Sequence, residues 1–213
     1  MRYESLIDRL TDDLKPVRRR HSWIDMAIMA GIAAVELLLL FAVGTAHLDM
    51  HRMMTEPTLW WRLASLALIS LISGALAIRS FDPTYSPRGA LRWLALIVTI
   101  CLAFGVIMSG MPVSLASIVR RLDWASGVQC ASKIALLSIP PLIGLAALGR
   151  RGAPTDLRRT PLLIGLAAAA WGAFVFAFAC PFDDPLYIAV WYSVGCAVVT
   201  LVARFVLPRV ARW

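Results

Sequence analysis

Charged side chains are scarce in this sequence. Only 16% of the 213 residues are Asp, Glu, Lys or Arg, whereas 60% are hydrophobic. An ordinary soluble domain has about 25% charged and about 45–50% apolar residues. So few ionic groups cannot cover the surface of a water-soluble protein of this size, and the mean hydropathy is +0.74. We therefore expect an integral membrane protein, because a bilayer needs no such cover.

Catalytic and cofactor motifs are also missing from the sequence. It contains no recognisable acid/base pair, nucleophile elbow, phosphate-binding loop or cofactor motif, and neither a repeat nor a low-complexity tract. We therefore predict that the protein is not an enzyme and holds no resident cofactor. The net charge of +8 does not indicate direct nucleic-acid binding, because the basic residues are scattered over loops instead of forming one patch.

Six apolar stretches are long enough to cross a bilayer, since the hydrocarbon core takes roughly 20 residues of helix. They cover residues 24–46, 59–78, 93–111, 128–148, 162–179 and 186–207. Because these runs are continuous, they favour helices over the alternating strands of a membrane barrel. The sequence predicts an all-α, polytopic membrane domain at residues 23–213. The preceding tail, residues 1–22, is too short to bury a core of its own.

Lys and Arg residues lie mainly on one side of the predicted spans. When both termini are placed on the same side, 16 of the 21 basic residues fall in the tail, the second and fourth loops and the C-terminal segment. Cytoplasmic segments retain basic residues, so the distribution predicts cytoplasmic N- and C-termini. The first span is too long for a signal-peptide core, and we expect it to be an uncleaved anchor.

The N-terminal tail has an amphipathic pattern, with apolar residues at helical spacing and charged residues between them. The apolar residues are Tyr3, Leu6, Ile7, Leu10, Leu14 and Val17. A helix of this length is marginal in water, so its apolar stripe needs a partner. The carboxylates beside the stripe, Asp8 and Asp12 among them, favour a protein groove with basic residues over anionic lipid. A lipid-bound helix and a disordered tail are the alternatives.

The four cysteines form two groups in this topology. Cys130 opens the fourth span and Cys180 closes the fifth, which places both at the outer face of one helical hairpin. Cys101 and Cys196 lie near the middle of the third and sixth spans, where we expect them to act as apolar filler. The outer pair is compatible with a structural disulfide, with inert packing, or with a thiol or metal sensor.

The two outer cysteines differ in their predicted surroundings. Cys130 lies near a helix N-terminus and one turn before Lys133, and both features stabilise a thiolate. Cys180 lies at a helix C-terminus and lacks both features.

Two histidines are candidate auxiliary ligands at the outer face. His47 and His51 are four residues apart, and with Asp49 they could complete a soft-metal site around Cys130 and Cys180. No CxxC or HExxH spacing supports such a site. Histidines in a loop are more often solvated.

Glu36 lies deep in the first span, about 15 Å from its outer end at about 1.5 Å per residue. A carboxylate at that depth needs a partner or a proton. Lys133 is the preferred partner and Arg62 the second choice, and a neutral, protonated Glu36 is the alternative. A single acidic group at mid-depth does not indicate a proton-coupled transporter.

Two sequence features predict how the fourth and fifth spans pack. Pro140 and Pro141 should kink the fourth span. Small residues at helical spacing in the fifth span permit close helix contact. They are Gly165, Ala168, Ala169 and Gly172.

Four segments of the chain resemble the NrsF family of bacterial inner-membrane proteins. They are the tail from Leu6-Ile7-Asp8-Arg9-Leu10 to Arg19, Gly127-Val128-Gln129-Cys130 through Pro140-Pro141, Cys180-Pro181 through Trp191-Tyr192, and Arg212-Trp213. Members of the family have six spans and are negative regulators of extracytoplasmic-function sigma factors. The resemblance extends over essentially the whole chain.

The resemblance implies that the tail holds a sigma factor at the membrane, through Leu6, Ile7, Asp8, Leu10, Leu14 and Val17. It also implies that Cys130 and Cys180 detect heavy-metal or oxidative stress, with a transient heavy-metal ion as the ligand in one version. Relatives often have His before the second cysteine, where this chain has Ala179. That difference favours thiol oxidation or a site of two thiolates. The alternative function is a membrane thiol oxidoreductase that uses the same cysteine pair.

Overall fold

The computed structural model describes residues 21–43, 56–110, 115–152 and 156–211. These residues form helices, with no strand among them. The helices are α1 (Ser22–Ala42), α2 (Pro57–Arg79), α3 (Arg88–Met108), α4 (Leu115–Leu122), α5 (Trp124–Leu137), α6 (Ile139–Arg150), α7 (Thr160–Ala177) and α8 (Pro185–Ala211). The predicted all-α class is confirmed.

Six helical segments are long and apolar enough to cross a membrane, as predicted. They are α1, α2, α3, α7, α8 and the segment Ile118–Arg150. Their bounds differ from the predicted ones at several ends. The third membrane helix, α3, ends at Met108 and the fifth, α7, ends at Ala177, whereas the last, α8, continues to Ala211.

The fourth membrane segment is broken instead of smoothly kinked. α5 and α6 meet at Ser138, whose hydroxyl and amide both donate to the Ile134 carbonyl, at 2.7 and 3.0 Å. Pro140 and Pro141 follow directly and have no amide hydrogen to continue the α5 ladder. The predicted disturbance is therefore confirmed, and it begins two residues before the first proline.

α7 is the central helix of the bundle. Inside its most apolar window 78% of the residues are buried, against 11% in α3. It packs against α2, α5, α6 and α8. The predicted small residues make this possible. A Cβ added at Gly172 would lie 2.7 Å from the Ser138 amide nitrogen, and one at Gly165 would lie 2.9 Å from the Thr200 Cα.

The buried side chains form two clusters at opposite ends of α7. One surrounds the last turn of α7 and the first turns of α8, and includes Cys130, Phe176, Cys180, Tyr187 and Trp191. We call this end of the bundle the thiol end. The other cluster lies where α7 begins and α2 ends, and includes Ile78, Leu94, Leu148, Leu163 and Leu207. We call that end the arginine end, after the residues that line its surface.

Candidate functional site

The structure brings Cys130 and Cys180 together at the thiol end. Cys130 lies in the second turn of α5, and Cys180 lies three residues beyond the end of α7. Both are free thiols in the same buried cluster, and each is near enough to the other to perturb its ionisation. They are 4% and 0% exposed. The two sulfur atoms are therefore close enough to react with one reagent, in a position that large molecules cannot reach.

Aromatic side chains from α7, α8 and the loop between them enclose the thiol pair. The Tyr187 hydroxyl shares a hydrogen bond with the Cys130 Sγ, at 3.3 Å. The rings of Phe182 and Tyr187 stack with their centroids 4.5 Å apart. The Tyr192 hydroxyl is also buried and lies close to the Cys180 thiol. The thiols are thus held in an apolar cage that contains two phenol groups.

Arg62 anchors the loop that carries Cys180. Its side chain is 1% exposed. Its two terminal nitrogens donate to the carbonyls of Ala177 and Phe182, at 2.9 and 3.0 Å. These two carbonyls flank Cys180 on either side, so a single guanidinium from α2 fixes the loop at both ends. The planar fork of Arg suits this bridging role, which the single ammonium of Lys cannot reproduce.

A second arginine holds the same loop from the opposite side. Arg121, in the last turn of α4, makes a bidentate ion pair with Asp184, with N–O distances of 2.7 and 2.6 Å. The Oδ1 atom of Asp184 also accepts the Leu186 amide at 3.0 Å and so caps the start of α8. Burial is the largest single influence and raises the pKa of Asp184, but the hydrogen bonds and charge of Arg121 together with the hydrogen bonds from the Leu186 and Tyr187 amides outweigh it, so the net pKa is below the ordinary value.

The surroundings of Cys180 differ from those that the sequence indicated. The pKa of the Cys180 thiol is lowered, chiefly by its hydrogen bond with Cys130 and also by the positive charge of Arg62, against the effect of burial. Cys130 lies in the second turn of α5, which begins at Trp124. Cys180, for which the sequence indicated no neighbouring cation, has the buried Arg62 beside it.

The predicted partners of Glu36 are wrong. Its Oε2 atom accepts a hydrogen bond from the Trp171 indole nitrogen at 3.0 Å, and Oε1 has no partner among the described residues. The Lys133 ammonium lies over the Phe176 ring, 5.9 Å from its centroid, and Arg62 binds carbonyls instead. The sequence indicated a cation or a proton for this carboxylate, and the structure places a neutral indole donor from α7 on it. Glu36 has no place in the thiol site.

Several predicted residues lie outside the described part of the chain. These are the tail residues Leu6, Ile7, Asp8, Leu10, Leu14 and Val17, together with His47, Asp49 and His51. Among the described residues, no group of three or more His, Cys, Asp or Glu side chains is arranged to hold a metal ion. Cys130 and Cys180 alone would supply two sulfur donors.

The other two cysteines lie away from the pair. Cys101 and Cys196 line an apolar cavity of about 420 Å³ between α2, α3 and α8. Both are partly exposed. They fit the predicted role of apolar filler, and they provide matched controls for experiments on the outer pair.

The sequence is similar to those of known anti-sigma factors. Residues 10–213 match the NrsF family, described as negative regulator of sigma F. The anti-sigma-F factor NrsF of Caulobacter vibrioides is 27% identical over 225 residues, which covers 100% of both chains. A probable anti-sigma-F factor NrsF of Azospira oryzae is 24% identical over 190 residues, covering 88% of this chain and 87% of the relative. No solved structure matches the chain. With nearly the whole chain matched, this protein belongs to the NrsF family of negative regulators of sigma F.

Proposed function

We propose that this protein is a membrane-bound anti-sigma factor with a thiol switch. Its N-terminal tail holds a sigma factor of the extracytoplasmic-function class at the bacterial inner membrane, away from RNA polymerase. Reaction of Cys130 and Cys180 with a heavy-metal ion or an oxidant then releases the sigma factor. Family membership supports the anti-sigma role. The distribution of basic residues supports cytoplasmic termini and an outer position for the thiols.

The observation that carries the proposed switch is the contact between the two free thiols. An oxidant such as a hydroperoxide takes two electrons and two protons from the pair, forming the S–S bond, while the peroxide is reduced to an alcohol and water. A soft divalent cation binds both sulfurs instead and displaces their protons. Either reaction changes the relative positions of Cys130 and Cys180. Because the two side chains are 4% and 0% exposed, only small reagents can reach them.

The loop of residues 178–184 is the element that the reaction would move. It joins α7 to α8, and Arg62 and Arg121 hold it from two other helices. A change at Cys180 therefore alters a position that four helices share. α7 passes from this loop through the bundle to the arginine end, so a displacement at one end of α7 reaches the other. A release mechanism also requires the two states to differ in sigma affinity by several kcal/mol.

The tail supplies the sigma-binding surface in this proposal. Leu6, Ile7, Leu10, Leu14 and Val17 insert into an apolar groove of the sigma factor, and Asp8 meets a basic residue at its rim. To test this contact, full-length protein would be purified from native membranes with Leu6→Asp and Leu10→Asp substituted together. We expect loss of the co-purified sigma factor. A matched Arg2→Gln, Glu4→Gln variant should retain it, and retention by both variants would exclude the tail as the binding surface.

The thiol switch is tested by a sigma-dependent transcription reporter in cells. A Cys130→Ser, Cys180→Ser variant should repress the reporter normally and fail to respond to cadmium or hydroperoxide. The control is a Cys101→Ser, Cys196→Ser variant, which should respond as the unmodified protein does. A normal response of the first variant would refute thiol sensing and leave the anti-sigma role intact.

The alternative function, a membrane thiol oxidoreductase, has less support. An oxidoreductase must exchange electrons with a substrate, and the two sulfurs are enclosed by aromatic side chains. The other two cysteines line a separate cavity, so no relay to a second pair is available among the described cysteines. A quinone-reduction assay on the purified protein decides between the two, because an anti-sigma factor should show no turnover.

A further inference from the structure

A positively charged cleft lies at the arginine end, opposite the thiol pair. It is a cavity of about 760 Å³ between the first turns of α3 and α7 and the last third of α8. Its charged lining residues are Arg88, Asp156, Arg158, Arg159 and Arg204. We call it the arginine cleft. None of these residues takes part in the thiol site or in the sigma-binding tail.

Most of the positive charge in the arginine cleft is uncompensated. Arg159 forms an ion pair with Asp156, at 2.7 Å. The guanidinium groups of Arg88, Arg158 and Arg204 make no ion pair with another described residue. Like charges gathered around one cavity repel each other, so an anion that entered the cleft would relieve that repulsion.

A helix N-terminus reinforces the positive potential. α3 begins at Arg88, and residues of its first turn line the cleft, whereas Asp156 already accepts the Arg158 and Arg159 amides before α7. The N-terminal end of a helix carries partial positive charge and unpaired amide hydrogens, and it attracts phosphate groups. Guanidinium groups add bidentate donors that match phosphate oxygens. The arginine cleft is therefore suited to phosphate in particular.

The position of the cleft indicates that its occupant comes from the membrane. Arg204 lies on α8 beside Leu201, Val202 and Phe205, which are 52%, 50% and 57% exposed. Such apolar side chains face lipid in a membrane-spanning helix. Trp93, 70% exposed and five residues after Arg88 on α3, is the kind of residue that lies at a membrane–water interface. Leu91 and Leu162 line the cleft beside the arginines and offer contact to acyl chains.

We propose that the arginine cleft binds the headgroup of an anionic phospholipid, and that cardiolipin is the preferred one. Its two phosphates match three unpaired arginines better than the single phosphate of phosphatidylglycerol does. Basic sites between membrane helices on the cytoplasmic side are a known setting for cardiolipin headgroups. The bound lipid bridges α3, α7 and α8, so it stabilises the arginine end of the bundle. This inference does not depend on the anti-sigma role.

The competing occupant is the acidic part of the N-terminal tail. Residues 3–14 contain Glu4, Asp8, Asp12 and Asp13 but only one basic residue, Arg9. Charge complementarity alone would allow this segment to enter the cleft. Lipid is favoured because the cleft is flanked by lipid-facing side chains and is lined by Leu91 and Leu162 as well as by arginines. The test must separate the two occupants.

Native mass spectrometry of the full-length protein in detergent measures lipid binding directly. The protein is titrated with cardiolipin, phosphatidylglycerol and phosphatidylcholine. A variant with Arg88→Gln, Arg158→Gln and Arg204→Gln should lose at least about tenfold in cardiolipin affinity, since each basic residue near an anionic headgroup contributes substantially. The matched control carries Arg79→Gln, Arg150→Gln and Arg209→Gln, which remove the same charge outside the cleft. It should stay within about twofold of the unmodified protein.

The other outcomes overturn the proposal. Equal losses in the two triple variants would show attraction by net charge alone. Equal binding of phosphatidylcholine and cardiolipin would show that the cleft does not distinguish an anionic headgroup from a zwitterionic one. A full-length variant with Asp8→Asn and Asp12→Asn should bind cardiolipin unchanged, and an increase would show that the tail occupies the cleft. The melting temperature with cardiolipin serves as a second measurement, and it should rise for the control triple and not for the cleft triple.

Discussion

The thiol end and the arginine end of this bundle handle polar groups in opposite ways. At the thiol end, Arg62 is 1% exposed and gives its donors to backbone carbonyls, and the reactive sulfurs are enclosed. At the arginine end, Arg88, Arg158 and Arg204 are exposed and have no ion-pair partner among the described residues. The first arrangement is closed and admits small reagents. The second is open and suits a charged surface or headgroup.

The two ends are joined by α7, whose faces are almost entirely buried. Its small residues bring it close to the break at Ser138 and to α8. A tightly packed helix moves as a unit, because a core at native packing density has no room to absorb a shift locally. The close packing of α7 against Ser138 and α8 can therefore connect the two ends. It is the first contact that we would disrupt by substitution.

The largest effect is expected from Gly172→Leu. The added side chain would meet the Ser138 amide and the Ile134 carbonyl, which are backbone atoms and cannot swing away. We expect the free energy of unfolding to fall by about 3 kcal/mol or more, with loss of order at both ends. Thermal unfolding in detergent measures it. Gly31→Leu is the control, because the space beside Gly31 is open, and a comparable loss there would contradict this account of α7.

Arg62→Met is expected to act at the thiol end. It removes two hydrogen bonds and leaves the Ala177 and Phe182 carbonyls unpaired in a buried site. We expect a loss of about 3 kcal/mol in unfolding free energy, measured by thermal unfolding in detergent. Arg62→Lys should recover part of the stability. Unchanged stability of Arg62→Met would contradict the anchoring role of this side chain.

The ion pair between Arg121 and Asp184 should give a smaller, pH-dependent effect. The pKa of Asp184 is lowered in the folded protein, so the pair stabilises the fold above the ordinary Asp pKa of about 3.9 and loses its effect as pH falls through the lower folded value. Asp184→Asn keeps the helix cap and should cost about 1 kcal/mol at neutral pH. The difference from the unmodified protein should shrink as the pH falls below about 3.9, in unfolding curves measured from pH 7 into acid. A constant difference across that range would disprove the ion-pair contribution.

Local patterns were sufficient to predict much of this fold. Continuous apolar runs predicted six membrane-length helices, because each run is set by bilayer thickness and not by its neighbours. The proximity of Cys130 and Cys180 followed from their positions at matching ends of a hairpin. The break before Pro140 followed from the missing amide hydrogens of proline.

Contacts between distant helices could not be predicted in the same way. The carbonyls that bind Arg62 lie 115 and 120 residues further along the chain. The partner of Glu36 is the Trp171 indole on α7, whereas the predicted partner was Lys133. The arginine cleft combines residues of α3, α7 and α8 with the segment before α7. Helix α4 carries Arg120 and Arg121, and its charge excluded it from the predicted spans.

The most direct test of the thiol switch is to measure the affinity of the full-length protein for its sigma factor in the reduced and the oxidised state of one sample. Fluorescence anisotropy with labelled sigma factor is measured with Cys130 and Cys180 reduced, and again after oxidation to a disulfide identified by peptide mass spectrometry. We predict that oxidation weakens binding at least about tenfold and that reduction restores it. The Cys101→Ser, Cys196→Ser protein should behave identically. Equal affinity in the reduced and oxidised states would contradict the thiol switch.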